Sequence, residues 1–212
     1  MFLDREDAAR RLAAELHRYR GQDPLILAIP RGAVPMGAVL AKELKGELDV
    51  VLTHKLRAPG QPELAIGAVA EDGSVYLNPS VVMSLAVSES YIEAEKGHQL
   101  SALRERRRRL GREPAEPAGR VVIVVDDGLA TGATMRIALK VLRAHGPQRL
   151  IAAVPVGPPE AVAQLEALAD EVVCLEQPTY FWAIGQFYEV FEQVSDEEVA
   201  RILRRESPQE GR

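Results

Sequence analysis

Cysteine, aromatic residues and long apolar runs are all scarce in this 212-residue sequence. A single cysteine, Cys174, excludes an internal disulfide and is typical of a protein in a reducing cytoplasm. No apolar run approaches the roughly 18 residues that a membrane-spanning helix needs. The N-terminus is charged from Asp4 and lacks the apolar core of a signal peptide. We therefore expect a cytoplasmic protein with no membrane partner.

The charge balance gives no general indication of a nucleic-acid partner. Acidic residues outnumber basic ones by 31 to 26, for a formal net charge of −5, whereas nucleic-acid-binding domains are usually basic. The one basic cluster, residues 104–109, ends a predicted helix that Ser90 and Glu93 open with a capping box. Because cations suit a helix C-terminus, we interpret this run as a solvated helix end.

The most informative stretch is residues 121–135, with the sequence VVIVVDDGLATGATM. Its five apolar residues predict a strand buried on both faces, as in a parallel sheet. Asp126 and Asp127 follow at the carboxyl end of that strand, the edge at which ligands bind in open α/β sheets. A loop of small residues and hydroxyls then leads into a helix whose first N–H groups attract anions. The stretch therefore predicts a phosphate site in the loop, with carboxylates placed for sugar hydroxyls or a metal ion.

This stretch resembles the 5-phosphoribosyl pyrophosphate (PRPP) binding motif of the type I phosphoribosyltransferases. The family pattern is an apolar run, two acids, a short spacer and Thr-Gly-x-Thr, and the sequence matches it from Val121 to Thr134. The ATP-binding string G-x-x-x-x-G-K-[ST] is absent, and the glycine spacing differs from that of dinucleotide-binding loops. The resemblance covers residues 25–175.

Strands alternate with helices along the chain, which predicts an α/β fold with a doubly wound, mainly parallel sheet. The resemblance implies the type I phosphoribosyltransferase version of this fold. We expect a single domain over residues 1–212, with its core at 21–176. Residues 64–77 are predicted to form a β-hairpin beside a flexible loop, and residues 79–118 a helical insertion. A small C-terminal hood is expected at 177–212.

The resemblance also implies which residues bind the pyrophosphate end of PRPP. Arg31, Gly32 and Ala33 stand where the family has a pyrophosphate-binding loop, often with a non-proline cis peptide bond. Lys55, predicted at the end of a strand, would meet a phosphate or pyrophosphate oxygen. Arg57 would begin the mobile loop that closes over PRPP.

The sugar and phosphate roles fall on the motif itself. Asp126 and Asp127 would fix the ribose hydroxyls, and with Lys55 they are the candidate catalytic residues. Mg²⁺ is the implied cofactor, held mainly through PRPP, with Asp127 as the candidate protein ligand. The predicted PRPP-binding residues of this loop are Asp126, Asp127, Gly128, Leu129, Ala130, Thr131, Gly132, Ala133 and Thr134.

Two interpretations of the aromatic C-terminal segment stay open. In the resembled family a small hood covers the acceptor base, and aromatic rings there would stack on it. Alternatively, the rings pack the segment onto the core. The candidate acceptor-binding residues are Phe181, Trp182, Phe187 and Tyr188.

The function implied by the resemblance is transfer of the 5-phosphoribosyl group from PRPP to an acceptor nitrogen, with release of pyrophosphate. A nucleobase is the expected acceptor. Ala130 stands where the 6-oxopurine enzymes carry an aspartate, which argues against hypoxanthine and guanine and leaves the acceptor open. The alternative is a regulator that senses PRPP or a nucleotide without catalysis. Family members commonly form homodimers, although nothing in this sequence indicates one.

Overall fold

A computed structural model describes residues 1–206 of the chain. Residues 207–212, the end of the predicted hood, lie outside this description. The chain divides into two compact units. The first joins Met1–Val51 to the chain from Glu113 onward, and the second is Leu52–Arg112. Residues 79–112 of the predicted helical insertion therefore belong to a larger unit that begins with an antiparallel sheet, and residues 113–118 belong to the first unit.

Helices and strands alternate along most of the described chain. Two short 3₁₀ helices, His17–Tyr19 and Ile184–Phe187, accompany them. Across residues 1–206, no helix combines the length and the apolar character needed to cross a membrane. In chain order the main elements are α1 (Arg5–Glu15), β1 (Leu25–Ala28), α2 (Val34–Leu44), β2 (Glu47–Val50), β3 (Thr53–Ala58), β4 (Gln61–Ala70), β5 (Val75–Leu77), α3 (Pro79–Ser84), α4 (Glu89–Leu110), β6 (Val121–Val125), α5 (Ala133–Ala144), β7 (Arg149–Val156), α6 (Pro159–Glu166), β8 (Glu171–Glu176) and α7 (Asp196–Arg205).

The first unit is built on a five-stranded parallel sheet in the order β2-β1-β6-β7-β8. Every residue of β1 and β6 is apolar and buried, as the run at 121–125 predicts. Helices flank the sheet, so the predicted α/β fold with a doubly wound parallel sheet is confirmed. The strand order reverses between β1 and β6, and such a switch point opens a crevice at the carboxyl ends of the strands.

The N-terminal segment before α1 pairs with residues 187–190 in the first unit. Asp4 caps α1, because its side chain accepts the N–H of Asp7 at 2.8 Å. Phe2 forms a parallel bridge with Tyr188 and donates its N–H to the Phe187 carbonyl at 2.8 Å. The N–H of Val190 likewise donates to the Leu3 carbonyl at 2.9 Å. The segment before α1 is thus fixed by the predicted hood.

The second unit contains a three-stranded antiparallel sheet in the order β3-β4-β5, packed on α4. The predicted hairpin is present as β4 and β5, but the strand bounds differ from the prediction. Residues 53–58 form a separate strand, and β4 begins at Gln61 rather than at Leu64. Pro59 and Gly60 alone turn the chain between them, where a flexible loop was expected. Lys55 consequently lies within β3 and not at a strand end.

Helix α4 corrects two details of the sequence interpretation. Its N-cap is Ser88, whose hydroxyl accepts the N–H of Tyr91, and not Ser90. The arginine run at its end is exposed at Arg108 and Arg109, as predicted. The prediction of a solvated run is wrong for Arg107, which is buried and forms an ion pair within the unit.

Candidate functional site

Two loops leave the sheet side by side at its switch point. Strands β1 and β6 are paired neighbours, and the N–H of Ile29 donates to the Val125 carbonyl at 2.9 Å. Residues 30–33 and residues 126–134 follow directly. The Pro30–Arg31 peptide bond is cis, as the family resemblance implies. The structure therefore brings the predicted pyrophosphate loop next to the predicted sugar-phosphate loop.

The closest approach of the two loops is at Gly32. A β-carbon built at this position would fall 2.0 Å from Oδ2 of Asp127 and 3.2 Å from Nη2 of Arg5. Any other residue here would have to displace the Asp127 carboxylate. Ala33, the next residue, is buried and serves as the N-cap of α2.

The loop that follows β6 lines a cleft of about 150 Å³. Asp126 forms part of the wall, and residues 128–134 form most of the remainder. Gly132 has a φ of +68°, a conformation that glycine adopts readily, and α5 begins at the next residue. The first N–H groups of a helix lack helical partners, and the helix dipole favours an anion beside them. The cleft is therefore suited to a phosphate group.

The C-terminal segment packs directly on this loop. A β-carbon at Gly128 would lie 2.7 Å from Cγ2 of Ile184, so a side chain there would push the 3₁₀ helix away. Ile184 also lines the cleft. The predicted hood is thus in contact with the predicted phosphate loop.

The two carboxyl groups of the motif have different surroundings. Asp126 accepts the N–H of Asp127 through Oδ1 at 2.9 Å. Burial, and secondly the charge of Asp127, raise the pKa of Asp126 well above its ordinary value. Asp127 instead forms an ion pair with Arg5, whose Nε and Nη2 donate to Oδ2 at 3.0 and 2.8 Å. An acid that favours its proton therefore lies beside a carboxylate paired with a guanidinium.

The available donors fit a magnesium ion that is held largely by its substrate. Over the described residues, no group of three or more His, Cys, Asp or Glu side chains is placed to hold a metal. Mg²⁺ commonly binds through one or two carboxylates together with substrate phosphates. Among the described residues, the hydrogen bonds to the Asp127 carboxylate both end on Oδ2, so Oδ1 could serve as a metal ligand. Asp126 offers further oxygens in the cleft.

The three predicted cations are placed differently. Arg31 has a side chain about half exposed, and its Nη1 lies 3.9 Å from Oδ2 of Asp196. Lys55 and Arg57 belong to the second unit, where both are exposed on β3. The N–H of Arg57 donates to Oε1 of Glu95 at 3.1 Å. Contacts between these cations and PRPP stay predictions.

Tyr188 has a packing role in the structure. Its ring is 6% exposed and lies 5.4 Å from the ring of Phe2 and 4.9 Å from that of Phe191, between centroids. Its hydroxyl donates to the backbone carbonyl of Asp127 at 2.7 Å. Burial raises the pKa of this hydroxyl, so it remains a donor. Tyr188 therefore supports the loop at residues 126–134, and stacking of its ring on an acceptor stays a prediction.

The other three candidate acceptor-binding residues lie nearer the surface. Phe181 and Phe187 are half-buried and pack on each other, with 5.3 Å between their ring centroids. Trp182 is 89% exposed. Stacking on an acceptor stays a prediction for all three.

Arg5 is the residue that sequence reasoning missed. It lies 122 positions before the aspartate that it contacts, in a first helical turn with no recognisable motif. A local pattern cannot report such a pairing. The only available sign was an arginine at the start of α1, where the helix dipole disfavours a cation unless it has another partner.

Comparison with known proteins agrees with this geometry. The family model described as the phosphoribosyl transferase domain matches residues 2–192. The chain belongs to this family. The match includes both site loops, and it also includes the segment that carries Arg5 and residues 177–192 of the predicted hood.

Relatives of this phosphoribosyl transferase domain are found in two strains of Mycobacterium tuberculosis. They are 45% identical over 207 residues, which is 97% of this chain, and their provisional name is phosphoribosyl transferase. The chain spans about half of these relatives, 47% of their length. The crystal structure of TT1426 from Thermus thermophilus is 44% identical, with a TM-score of 0.89 over 98% of this chain and 99% of that one.

Proposed function

We propose that this domain transfers the 5-phosphoribosyl group of PRPP to a nitrogen acceptor, a nucleobase, and releases pyrophosphate with the help of Mg²⁺. The observation that carries the proposal is the meeting of two loops at the switch point of the sheet. One of them holds two acids before a phosphate-sized cleft at a helix start. The other touches the second acid at Gly32.

The chain's own residues would act mainly by positioning and by electrostatics. The start of α5 and the hydroxyls of Thr131 and Thr134 would hold the 5′-phosphate. Asp126 and Asp127 would accept hydrogen bonds from the ribose hydroxyls and place negative charge beside a sugar that becomes positive as its C1–O bond breaks. Fixing the sugar at both ends orients C1 toward the acceptor.

Magnesium, when bound with PRPP, would supply positive charge to the departing pyrophosphate. Oδ1 of Asp127 and the oxygens of Asp126 are the protein atoms that would approach it. The cation of Arg31 lies at the loop where the family binds pyrophosphate.

A second candidate function is a sensor that binds PRPP or a nucleotide without turnover. Ala130 supports this alternative, because the loop lacks the aspartate that serves the base in 6-oxopurine enzymes. An enzyme for another base needs no aspartate at this position, so the transferase remains the preferred proposal.

The experiment is to incubate the protein with PRPP, Mg²⁺ and a pool of nucleobases, and to follow nucleotides by mass spectrometry and pyrophosphate by a coupled assay. We expect one or few bases to yield a nucleotide, with one pyrophosphate per nucleotide. Asp127→Asn should reduce both products by orders of magnitude. Glu166→Gln, which removes an exposed carboxylate at the end of α6, should leave them unchanged.

Calorimetry with PRPP and Mg²⁺ separates the two candidate functions. Heat of binding with no product from any base would support the sensor and contradict the transferase. Binding to nucleic acid that weakens steeply with salt would point to a regulator of that kind. Absence of both binding and product would contradict both candidates.

A further inference from the structure

The guanidinium of Arg5 connects three separate parts of the first unit. Its Nε and Nη2 donate to Oδ2 of Asp127, at 3.0 and 2.8 Å. Its Nη1 donates to the backbone carbonyl of Glu192 at 2.6 Å. Its Cζ lies 3.9 Å from the centroid of the Phe191 ring. One side chain of the N-terminal helix thus meets both the sugar loop and the C-terminal segment.

Arg5 is held in place from both directions. Its backbone is the first residue of α1, immediately after the Asp4 cap. The segment before it is fixed by the bridge between Phe2 and Tyr188. Its side chain is only 12% exposed, and that of Asp127 is 13% exposed. Because both groups are largely removed from water, removing the guanidinium would leave an uncompensated buried charge on Asp127.

The ion pair also fixes the orientation of Asp127. Both donors converge on Oδ2, which lies against Gly32 where no β-carbon fits. The carboxylate is therefore enclosed on one side by the guanidinium and on another by the pyrophosphate loop. Tyr188 fixes the backbone of the same residue by donating to its carbonyl. The side chain has little freedom to turn, and Oδ1 is the oxygen left for a ligand.

We propose that Arg5 is a positioning residue for the sugar subsite, which orients the Asp127 carboxylate and links it to the C-terminal segment at Phe191 and Glu192. This inference rests on the proposed function, since it assigns the oriented carboxylate to a ribose hydroxyl or to PRPP-bound Mg²⁺. Arg5 acts through Asp127 and touches no reacting atom. A free Asp127 would have to be ordered again at each binding event, which weakens binding of PRPP.

A purely structural role for Arg5 predicts different experimental results from a positioning role. If the guanidinium only joined the N-terminal segment to residues 191–192, its removal would lower stability, and any loss of PRPP affinity would be the same with and without the Asp127 carboxylate. The test therefore needs rescue by a conservative variant and a double-mutant cycle on PRPP binding.

The first measurement compares Arg5→Met with the conservative variant Arg5→Lys by calorimetry with PRPP and Mg²⁺. Arg5→Lys keeps a cation beside Asp127 but loses the fork of two donors, so its affinity for PRPP should lie between that of Arg5→Met and that of the wild type. Arg10→Met, on the same helix and paired with exposed Glu6, is the control that should leave the affinity unchanged.

The second measurement is PRPP binding by calorimetry with Mg²⁺ present. Arg5→Met should weaken binding about tenfold, and in the Asp127→Asn background the same change should cost less than about twofold. Arg10→Met should bind as the wild type does. Thermal melts of every variant confirm that the folded fraction is the same.

The outcomes separate the inference from the proposed function. PRPP binding that Arg5→Met leaves unchanged, or losses of binding that add fully with Asp127→Asn, would overturn the positioning role alone. A wild type that binds no PRPP would remove the proposed function, and the positioning role with it. Weaker binding by Arg5→Met, partial rescue by Arg5→Lys and non-additive losses with Asp127→Asn together support the inference.

Discussion

Gly32 and Asp127 approach so closely that residue 32 has no room for a β-carbon, which would lie 2.0 Å from the carboxylate Oδ2. The contact joins the loop after β1 to the loop after β6. The position of the Asp127 carboxylate, which is predicted to bind the ribose, therefore depends on the lack of a side chain at residue 32 of the predicted pyrophosphate loop.

Gly32→Ala should therefore affect both stability and binding. The added methyl must displace Asp127 or Arg5, and overpacking of this kind costs about 1–3 kcal/mol of unfolding free energy. Urea denaturation and PRPP calorimetry measure the two effects. Gly97→Ala is the control, because a β-carbon there meets nothing within 4 Å in α4; it should stabilise by about 0.5–1 kcal/mol. Equal stability of Gly32→Ala and the wild type would contradict the close approach.

Asp126→Asn should stabilise the ligand-free protein increasingly as pH rises. The pKa of Asp126 is raised in the folded state, so the folded state favours the protonated form. Ionisation therefore costs stability, a cost absent below the ordinary pKa of 3.8 and complete above the raised value. Asparagine cannot ionise and avoids this cost. Urea melts from pH 4 to pH 8 should show a widening gap between variant and wild type.

Asp170→Asn is the matched control of opposite sign. Hydrogen bonds from Arg143 lower the pKa of Asp170, so its ionised form is stabilised by folding. That stabilisation is present above the ordinary pKa of 3.8 and is lost as pH falls through the lowered value. The variant should be less stable than the wild type at neutral pH and converge with it in acid. A pH-independent gap for either variant would contradict the assigned shift.

Tyr188→Phe should destabilise the protein by about 1–3 kcal/mol, because the Asp127 carbonyl loses a buried donor. PRPP affinity should fall as well, since the sugar loop loses a support. Tyr180→Phe is the control for an exposed tyrosine and should change stability by less than about 0.5 kcal/mol. Chemical denaturation of both variants measures the difference, and identical values would argue against the hydrogen bond.

Arg107→Met should destabilise the second unit by about 3–5 kcal/mol, because it leaves Glu71 charged and enclosed. The side chains of the pair are 9% and 12% exposed, and Nε of Arg107 donates to Oε2 of Glu71 at 2.6 Å. Arg108→Met, which breaks an exposed pair with Glu105, should cost less than about 1 kcal/mol. Hydrogen exchange in β3 and β4 localises the effect. Similar losses for both arginines would show that burial does not distinguish them.

The features that the sequence could predict are those determined by residues close to one another in the chain. The run at 121–125 and the small-residue loop specify a strand and a helix start within one stretch, and the structure has them in that order. The roles of the two acids between them stay predictions. Ser195 likewise caps α7 by accepting the N–H of Glu198, and the Ser-x-x-Glu spacing of these two residues is a capping pattern that the sequence displays. Such features depend on near neighbours, whose identity the sequence displays directly.

The features that sequence could not predict depend on distant partners. Strand β3 follows β2 with no turn signal, and only its pairing with β4 separates the two. From sequence alone, Arg107 could not be distinguished from its solvated neighbours, because Glu71, with which it forms an ion pair, lies 36 residues earlier. Arg5 and Asp127 are separated further still, by 122 residues. In each case a contact between residues far apart in sequence determines the surroundings of the residue, and no local pattern in the sequence indicates that contact.

The bridge between Phe2 and Tyr188 has a consequence for shortened forms of this protein. A version that starts after Leu3 would retain the whole motif but lose the main-chain hydrogen bonds to Phe187 and Val190. The aromatic rings packed around Tyr188 would then become exposed to solvent. The loop at residues 126–134 would lose part of the packing that supports it. Trimming a few residues at one end would thus act like a substitution in the binding loop, although that loop lies more than a hundred residues away.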